Sequence, residues 1–154
     1  SKKSTALGRR SSYASGRNVL EFVVGGVPAP QGSKRAFVRG GRVSLVESCA
    51  RVKPYRALIS LAASQARVGA PTGLPVGIAI AFAFARPKSH YTSKGVLRAG
   101  APSHPGKPDI DKLCRAVLDA LTGILYHDDA QVVSLSATKR YGDVPMTAIS
   151  LFTC

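Results

Sequence analysis

KPDIDKLCRAVLDALTG, residues 107–123, and YHDDAQVV, residues 126–133, decide how this chain is read. In the first stretch Ile110, Leu113, Val117, Leu118 and Leu121 recur at three- and four-residue spacing, which predicts a helix over 109–121 with one apolar stripe. Asp109 suits its N-cap, and Gly123 can end it. In the second stretch Asp128-Asp129 marks a turn, and a strand follows over 131–141. Strand alternation there points Val133, Leu135 and Ala137 inward and Ser134, Ser136 and Thr138 outward.

The polar residues of these stretches carry the chemistry. Asp111, Arg115 and Asp119 stand four residues apart, so they share one helical face. The turn after the helix can bring Asp128 and Asp129 back toward the helix start. A hard cation such as Mg²⁺ takes oxygen ligands, commonly one or two carboxylates with water and phosphate. Asp109, Asp111 and Asp129 could supply such ligands. The same residues have ordinary uses, since an aspartate at a helix start caps it and complements its dipole. An Asp-Asp pair is also common turn chemistry. The pattern leaves both readings open, and only the mutual approach of the pieces separates them.

Working outward, 76–85 (VGIAIAFAFA) alternates large apolar with small residues and predicts a buried central strand. Residues 19–25 and 146–152 predict further strands, and 51–68 a helix placing Tyr55, Leu58, Ile59, Ala62, Ala63 and Ala66 near one face. Residues 36–46 predict a hairpin turning at Gly40-Gly41 between Arg39 and Arg42, a basic tip that suits phosphate or simply solvent. Residues 86–107 are basic, polar and rich in Gly and Pro, so they predict a long loop. Residues 1–18 are rich in Ser, Gly and cations and predict a flexible basic arm ahead of one domain spanning 19–154. The order of elements gives an α+β fold, a small mixed sheet with two main helices.

Charge narrows the function. Twenty-two Lys and Arg stand against eight Asp and Glu, a net +14. Such an excess attracts a polyanion, with nucleic acid favoured over an anionic membrane. Six of the eight acids are aspartates at or after residue 109, five of them between Asp109 and Asp129. Carboxylates gathered in a phosphate-attracting protein conflict with its substrate unless a cation lets the two share a site. No apolar run is long enough for a membrane helix, and the N-terminal segment lacks the apolar core of a secretory signal. Cys49, Cys114 and Cys154 are widely spaced with no zinc pattern, as expected of free thiols in a reducing cytoplasm. His90, His104 and His127 show no ligand spacing.

These motifs resemble the RusA family of Holliday junction resolvases. The matching residues are Pro108, Asp109, Asp111, Asp119-Ala-Leu, Asp128, Asp129, Gln131 and Val132, and residues 26–35 look like the family's opening loop. The resemblance covers about 19–152. It implies a Mg²⁺-dependent homodimer, with Mn²⁺ as a substitute and no organic cofactor, that cuts two opposed strands of a four-way DNA junction in a bacterial or phage-infected cytoplasm. It implies Asp109, Asp111 and Asp129 as catalytic carboxylates, with Asp128 as a further metal ligand. Lys34, Arg35, Arg39, Arg42, Lys107 and Lys112 are the expected DNA contacts. The chain departs from the family pattern at two positions: Lys112 replaces an Asn, and Arg115 replaces a Lys. Arg115 keeps the charge but cannot give up a proton at working pH, so an electrostatic role is expected of it. A non-catalytic branched-DNA-binding protein and a broader flap nuclease remain alternatives.

Overall fold

The computed structural model describes residues 19–32, 34–47 and 49–154. The N-terminal arm over 1–18 therefore lies outside the described residues. The elements run β1 (Val19–Gly25), β2 (Lys34–Arg39), β3 (Arg42–Glu47), α1 (Val52–Ala66), β4 (Val76–Ala85), α2 (Ile110–Leu121), β5 (Val132–Gly142) and β6 (Met146–Thr153). This is the expected α+β order, with a mixed sheet and two helices.

Four strands form the main sheet in the order β1-β6-β4-β5, and β2-β3 form a separate hairpin. β4 sits between an antiparallel neighbour, β6, and a parallel one, β5. A parallel pair needs a crossover connection, and α2 supplies it between β4 and β5. The hairpin turns at Gly40 and Gly41 with φ of 57° and 75°, a left-handed pair that glycine adopts at little cost.

Register gathers the core on one face. Leu20, Leu151, Ile78 and Leu135 lie in one row across the four strands, and Phe22, Ile149, Ile80 and Ala137 in the next. α1 packs against α2 and β1, while α2 packs against β5. Val76, Ile78, Ile80 and Phe82 of β4 are buried, as expected of a central strand. Each large side chain buried this way contributes about 1.5–3 kcal/mol of transfer free energy. The one buried polar side chain among the described residues, Thr147, shares a 2.6 Å hydrogen bond with the Tyr55 hydroxyl, so neither is left unsatisfied. Gly77 faces Phe152 across the β4–β6 pair, and a Cβ there would meet the ring.

The packing differs from the sequence pattern at three places, one of them Leu135, expected inward but 45% exposed. Val133 is 62% exposed rather than inward. Register shifts at the start of the β4–β5 pair, where Val76 meets Val132 but Gly77 meets Ser134, so Val133 is the extra residue of a bulge. Val132 packs against the core in its place. Leu58 is 47% exposed, because the buried stripe of α1 runs through Val52, Tyr55, Ile59 and Ala63. The three cysteines are free thiols, and among the described residues no helix is long and apolar enough to cross a membrane.

Candidate active site

The candidate site is the open groove between α2 and β5. α2 leans its apolar residues Leu113, Val117 and Leu121 into the core, so the opposite side faces outward. Asp111, Arg115 and Asp119 line one pocket of about 450 Å³ together with Asp129, Ile110, Cys114, Leu118, Leu135 and Ala137. The i,i+4 ladder on α2 therefore forms one wall, as its spacing requires. Leu135 and Ala137 of β5 form an apolar floor, and Leu135 stays 45% exposed because the helix does not close over it.

The turn between α2 and β5 sets Asp129. Asp128 N-caps a short 3₁₀ turn, with its carboxylate accepting from the Ala130 amide at 2.9 Å. The Gln131 side chain accepts from the amides of Asp128 (3.0 Å) and His127 (2.8 Å), completing a capping box. Its amide donates to the carbonyls of Thr72 and Leu74, which ties the turn to the segment before β4. Gln131 is thus the structural pin of the turn. Asp128 does not line the pocket, whereas Asp129 does.

The electrostatics mark crowding among the carboxylates. A hydrogen bond shared with Asp128, then partial desolvation, then the charges of Asp128 and Asp119, hold the Asp129 carboxyl above its ordinary range. The Ala130 amide and the bond to Asp129 hold Asp128 below it, so the two titrate as a pair. The Asp129 turn shares its pocket with Ile110 and Asp111 at the start of α2, as the sequence reading expects. The charge it feels on that helix is Asp119, roughly two turns further along.

Asp109 does not line this pocket, although Ile110 and Asp111 beside it do. It occupies the N-cap position of α2, yet its carboxylate makes no capping bond. It pairs instead with Lys107 at 2.9 Å and Lys112 at 3.8 Å, and the Lys107 bond holds its carboxyl below the ordinary range. Arg39 and Arg42 are exposed at the hairpin tip. Lys34 and Arg35 open β2, and their side chains lie outside the described ones.

The loop after β1 docks on α2 and braces the ladder. Pro28 and Ala29 are buried, and the Gln31 amide donates to the Lys112 carbonyl at 3.0 Å. The Gln31 side chain donates to Asp119 and accepts from Arg56 of α1 at 3.0 Å. At Gly32 the backbone passes so close to Arg115 that a Cβ would lie 2.6 Å from its guanidinium. Sequence reasoning named neither Gln31 nor Asp119 as a site residue. The ladder spacing was the signal for Asp119, whereas Gln31 is 88 residues from its partner and left no local sign.

The donor set suits a hard divalent cation. Asp111, Asp119 and Asp129 offer carboxylate oxygens in an open pocket, and the charges of Asp128 and Asp119 that crowd Asp129 are what a cation would relieve. Among the described residues no three His, Cys, Asp or Glu come together as a complete ligand group. Mg²⁺ commonly uses one or two carboxylates and fills the rest of its shell with water and phosphate, so the pocket remains compatible with it.

Comparison with known proteins agrees with this architecture. The chain belongs to the endodeoxyribonuclease RusA family, whose profile matches residues 26–151. The uncharacterized protein YqaN of Bacillus subtilis (strain 168) is 32% identical over 140 residues, spanning 86% of this chain and 94% of YqaN.

Proposed function

We propose that the protein is a divalent-metal-dependent endonuclease that resolves four-way DNA junctions by paired, symmetric incision, working as a homodimer in the cytoplasm. The observation that carries this reading is the pocket itself. Asp111, Asp119, Asp129 and Arg115 surround one open cleft in a chain of net charge +14. Carboxylates weaken phosphate binding, so a purely DNA-binding protein gains nothing from gathering them.

In this reading Asp111 and Asp129 hold Mg²⁺ or Mn²⁺, with Asp119 at the far end of the same wall and Asp109 and Asp128 flanking it. The bound metal supplies activation of water and neutralisation of the phosphate. Arg115 offers a permanent positive charge to the scissile phosphate and moves no proton. Gln31 holds Asp119, and the backbone at Gly32 passes close beside the Arg115 guanidinium. Lys107, Lys112, Arg39, Arg42, Lys34 and Arg35 bind the backbone on either side. A four-way junction has approximate two-fold symmetry, and a two-fold dimer presents matched sites to opposed strands.

The test is cleavage of a mobile four-way junction, a flap and a linear duplex by the purified protein with Mg²⁺. Paired incisions at symmetric positions in the junction, with little cutting of the duplex, are expected. Sedimentation on the junction should give a dimer. No incision of any branched substrate overturns the proposal, and equal cutting of flap and junction reduces it to a general branched-DNA nuclease.

A further inference from the structure

The long connection from β4 to α2 is an ordered element. Residues 90–98 form a tight hairpin in which Tyr91 bridges Leu97, the Thr92 amide donates to the Val96 carbonyl at 2.7 Å, and the Arg98 amide donates to the His90 carbonyl at 2.8 Å. The Thr92 hydroxyl accepts from the Val96 amide, and the Arg98 side chain donates to the Ser89 carbonyl, which fixes the turn and its base. Two residues of β5 clamp the whole loop. Arg86 lies 4.4 Å over the Tyr141 ring and donates to the Pro102 carbonyl, while His90 stands edge-on to the same ring. Lys139 donates to the carbonyls of Gly106 and Pro108 at the loop's exit.

Such bracing holds an unusual surface. Val96 is 61% exposed, Leu97 46% and Tyr91 37%, all on one short hairpin. Lys88, Lys94 and Arg98 surround them, also exposed, and among the described residues none of the three has a carboxylate partner. The sequence holds no acidic residue from 48 to 108. Apolar side chains beside cations that no carboxylate neutralises match a ligand with flat apolar faces set between phosphates. Intact duplex hides its base faces in a continuous stack, whereas a branch point interrupts the stack and lets an apolar wedge part the bases.

Position connects the hairpin to the candidate site. Leu135, Ala137, Lys139 and Tyr141 alternate along one face of β5, so the pocket floor and the two clamps form a continuous line. From Ala137 to Tyr141 this line runs about 13 Å, on the order of four base steps of a DNA strand.

We propose that the 90–98 hairpin reads the branch point: Tyr91, Val96 and Leu97 pack against unstacked bases while Lys88, Lys94 and Arg98 hold the neighbouring phosphates. This inference rests on the branched-DNA reading and names the element that selects the branch. A bare apolar tip adds little to duplex affinity, so its contribution appears as preference for the junction.

The test uses the full-length protein, a four-way junction carrying 2-aminopurine beside the branch point, and a linear duplex of the same sequence, in Ca²⁺. The parent should raise the 2-aminopurine fluorescence and bind the junction more tightly than the duplex. The double variant Val96→Ser/Leu97→Ser should lose most of the fluorescence change and about tenfold in junction affinity, with duplex affinity unchanged. Lys88→Ala/Lys94→Ala should weaken both ligands and lower the salt slope by about two. These side chains are exposed, and circular dichroism checks that each variant is folded. A Val96→Ser/Leu97→Ser protein with parental fluorescence and parental junction-to-duplex ratio overturns the hairpin's role alone. A parent that shows no junction preference overturns the branched-DNA reading and the hairpin's role together.

Discussion

Gln31 and Asp119, 88 residues apart in the chain, are joined by a hydrogen bond from the glutamine amide to the carboxylate. The same glutamine accepts from Arg56, so one side chain links the loop after β1 to both helices. Gln31→Ala should cost about 1 kcal/mol of stability and a larger fraction of the cleavage rate. A double-mutant cycle with Asp119→Ala measures the contact directly. Coupling of about 0.5–3 kcal/mol is expected, and strictly additive effects would show the contact to be idle.

The backbone at Gly32 leaves room for the Arg115 guanidinium that any side chain would take. Gly32 has φ of 102°, and a Cβ there would lie 2.6 Å from the guanidinium. Gly32→Ala therefore strains the loop by about 1–3 kcal/mol and displaces Arg115 at once. Cleavage should fall by more than the stability loss explains. Arg115→Lys should keep most of the activity, because charge is what the position supplies, whereas Arg115→Ala should lose it with the fold intact. Steady-state cleavage rates beside melting curves separate the two effects. Parental cutting by Arg115→Ala would place the required cation elsewhere, and Lys112→Ala is the variant that examines that alternative.

Alkali should weaken the fold through a buried phenol. Burial pushes the Tyr126 hydroxyl up to about 12, a shift opposed by Thr122 and reinforced by Asp129 and Asp119. Its hydroxyl donates to the Leu118 carbonyl at 2.9 Å. Below pH about 10 the phenol is neutral in both states and the stabilisation is complete. Above that the unfolded chain ionises first, so stability declines as pH rises toward 12. Denaturant midpoints at pH 8, 10 and 11 should fall progressively, and Tyr126→Phe should flatten the decline. An unchanged slope in that variant would assign the loss to other groups, of which Tyr55, also raised by burial, is the nearest in kind.

The sequence made most of the architecture readable because its signals were local. Alternation marked β4, and the apolar spacing marked α2. Gly40-Gly41 marked the hairpin turn, and the i,i+4 ladder put Asp111, Arg115 and Asp119 on one wall. What escaped was set by contacts that carry no periodic signal, most of them with distant partners. Val133 faces solvent because the register against β4 slips by one residue. Asp109 fits an N-cap by position, yet nearby lysines take its carboxylate. The order within 86–107 comes from Arg86 meeting Tyr141 and Lys139 meeting two carbonyls, contacts without periodicity. The tie between Gln31 and Asp119 is of the same kind.

The central claim is that the aspartates of the α2–β5 groove carry a metal that cuts DNA. It is tested most directly by Asp111→Asn and Asp129→Asn, with Asp109→Asn beside them, each assayed for junction cleavage in Mg²⁺ and junction binding in Ca²⁺. An amide keeps the size of the side chain and removes the charge that holds a cation. The account predicts that Asp111→Asn and Asp129→Asn bind the junction like the parent and fail to cut it, whereas Asp109→Asn, which alters a residue outside the pocket, keeps measurable cleavage. Near-parental Mg²⁺-dependent cleavage by Asp111→Asn and Asp129→Asn would contradict it.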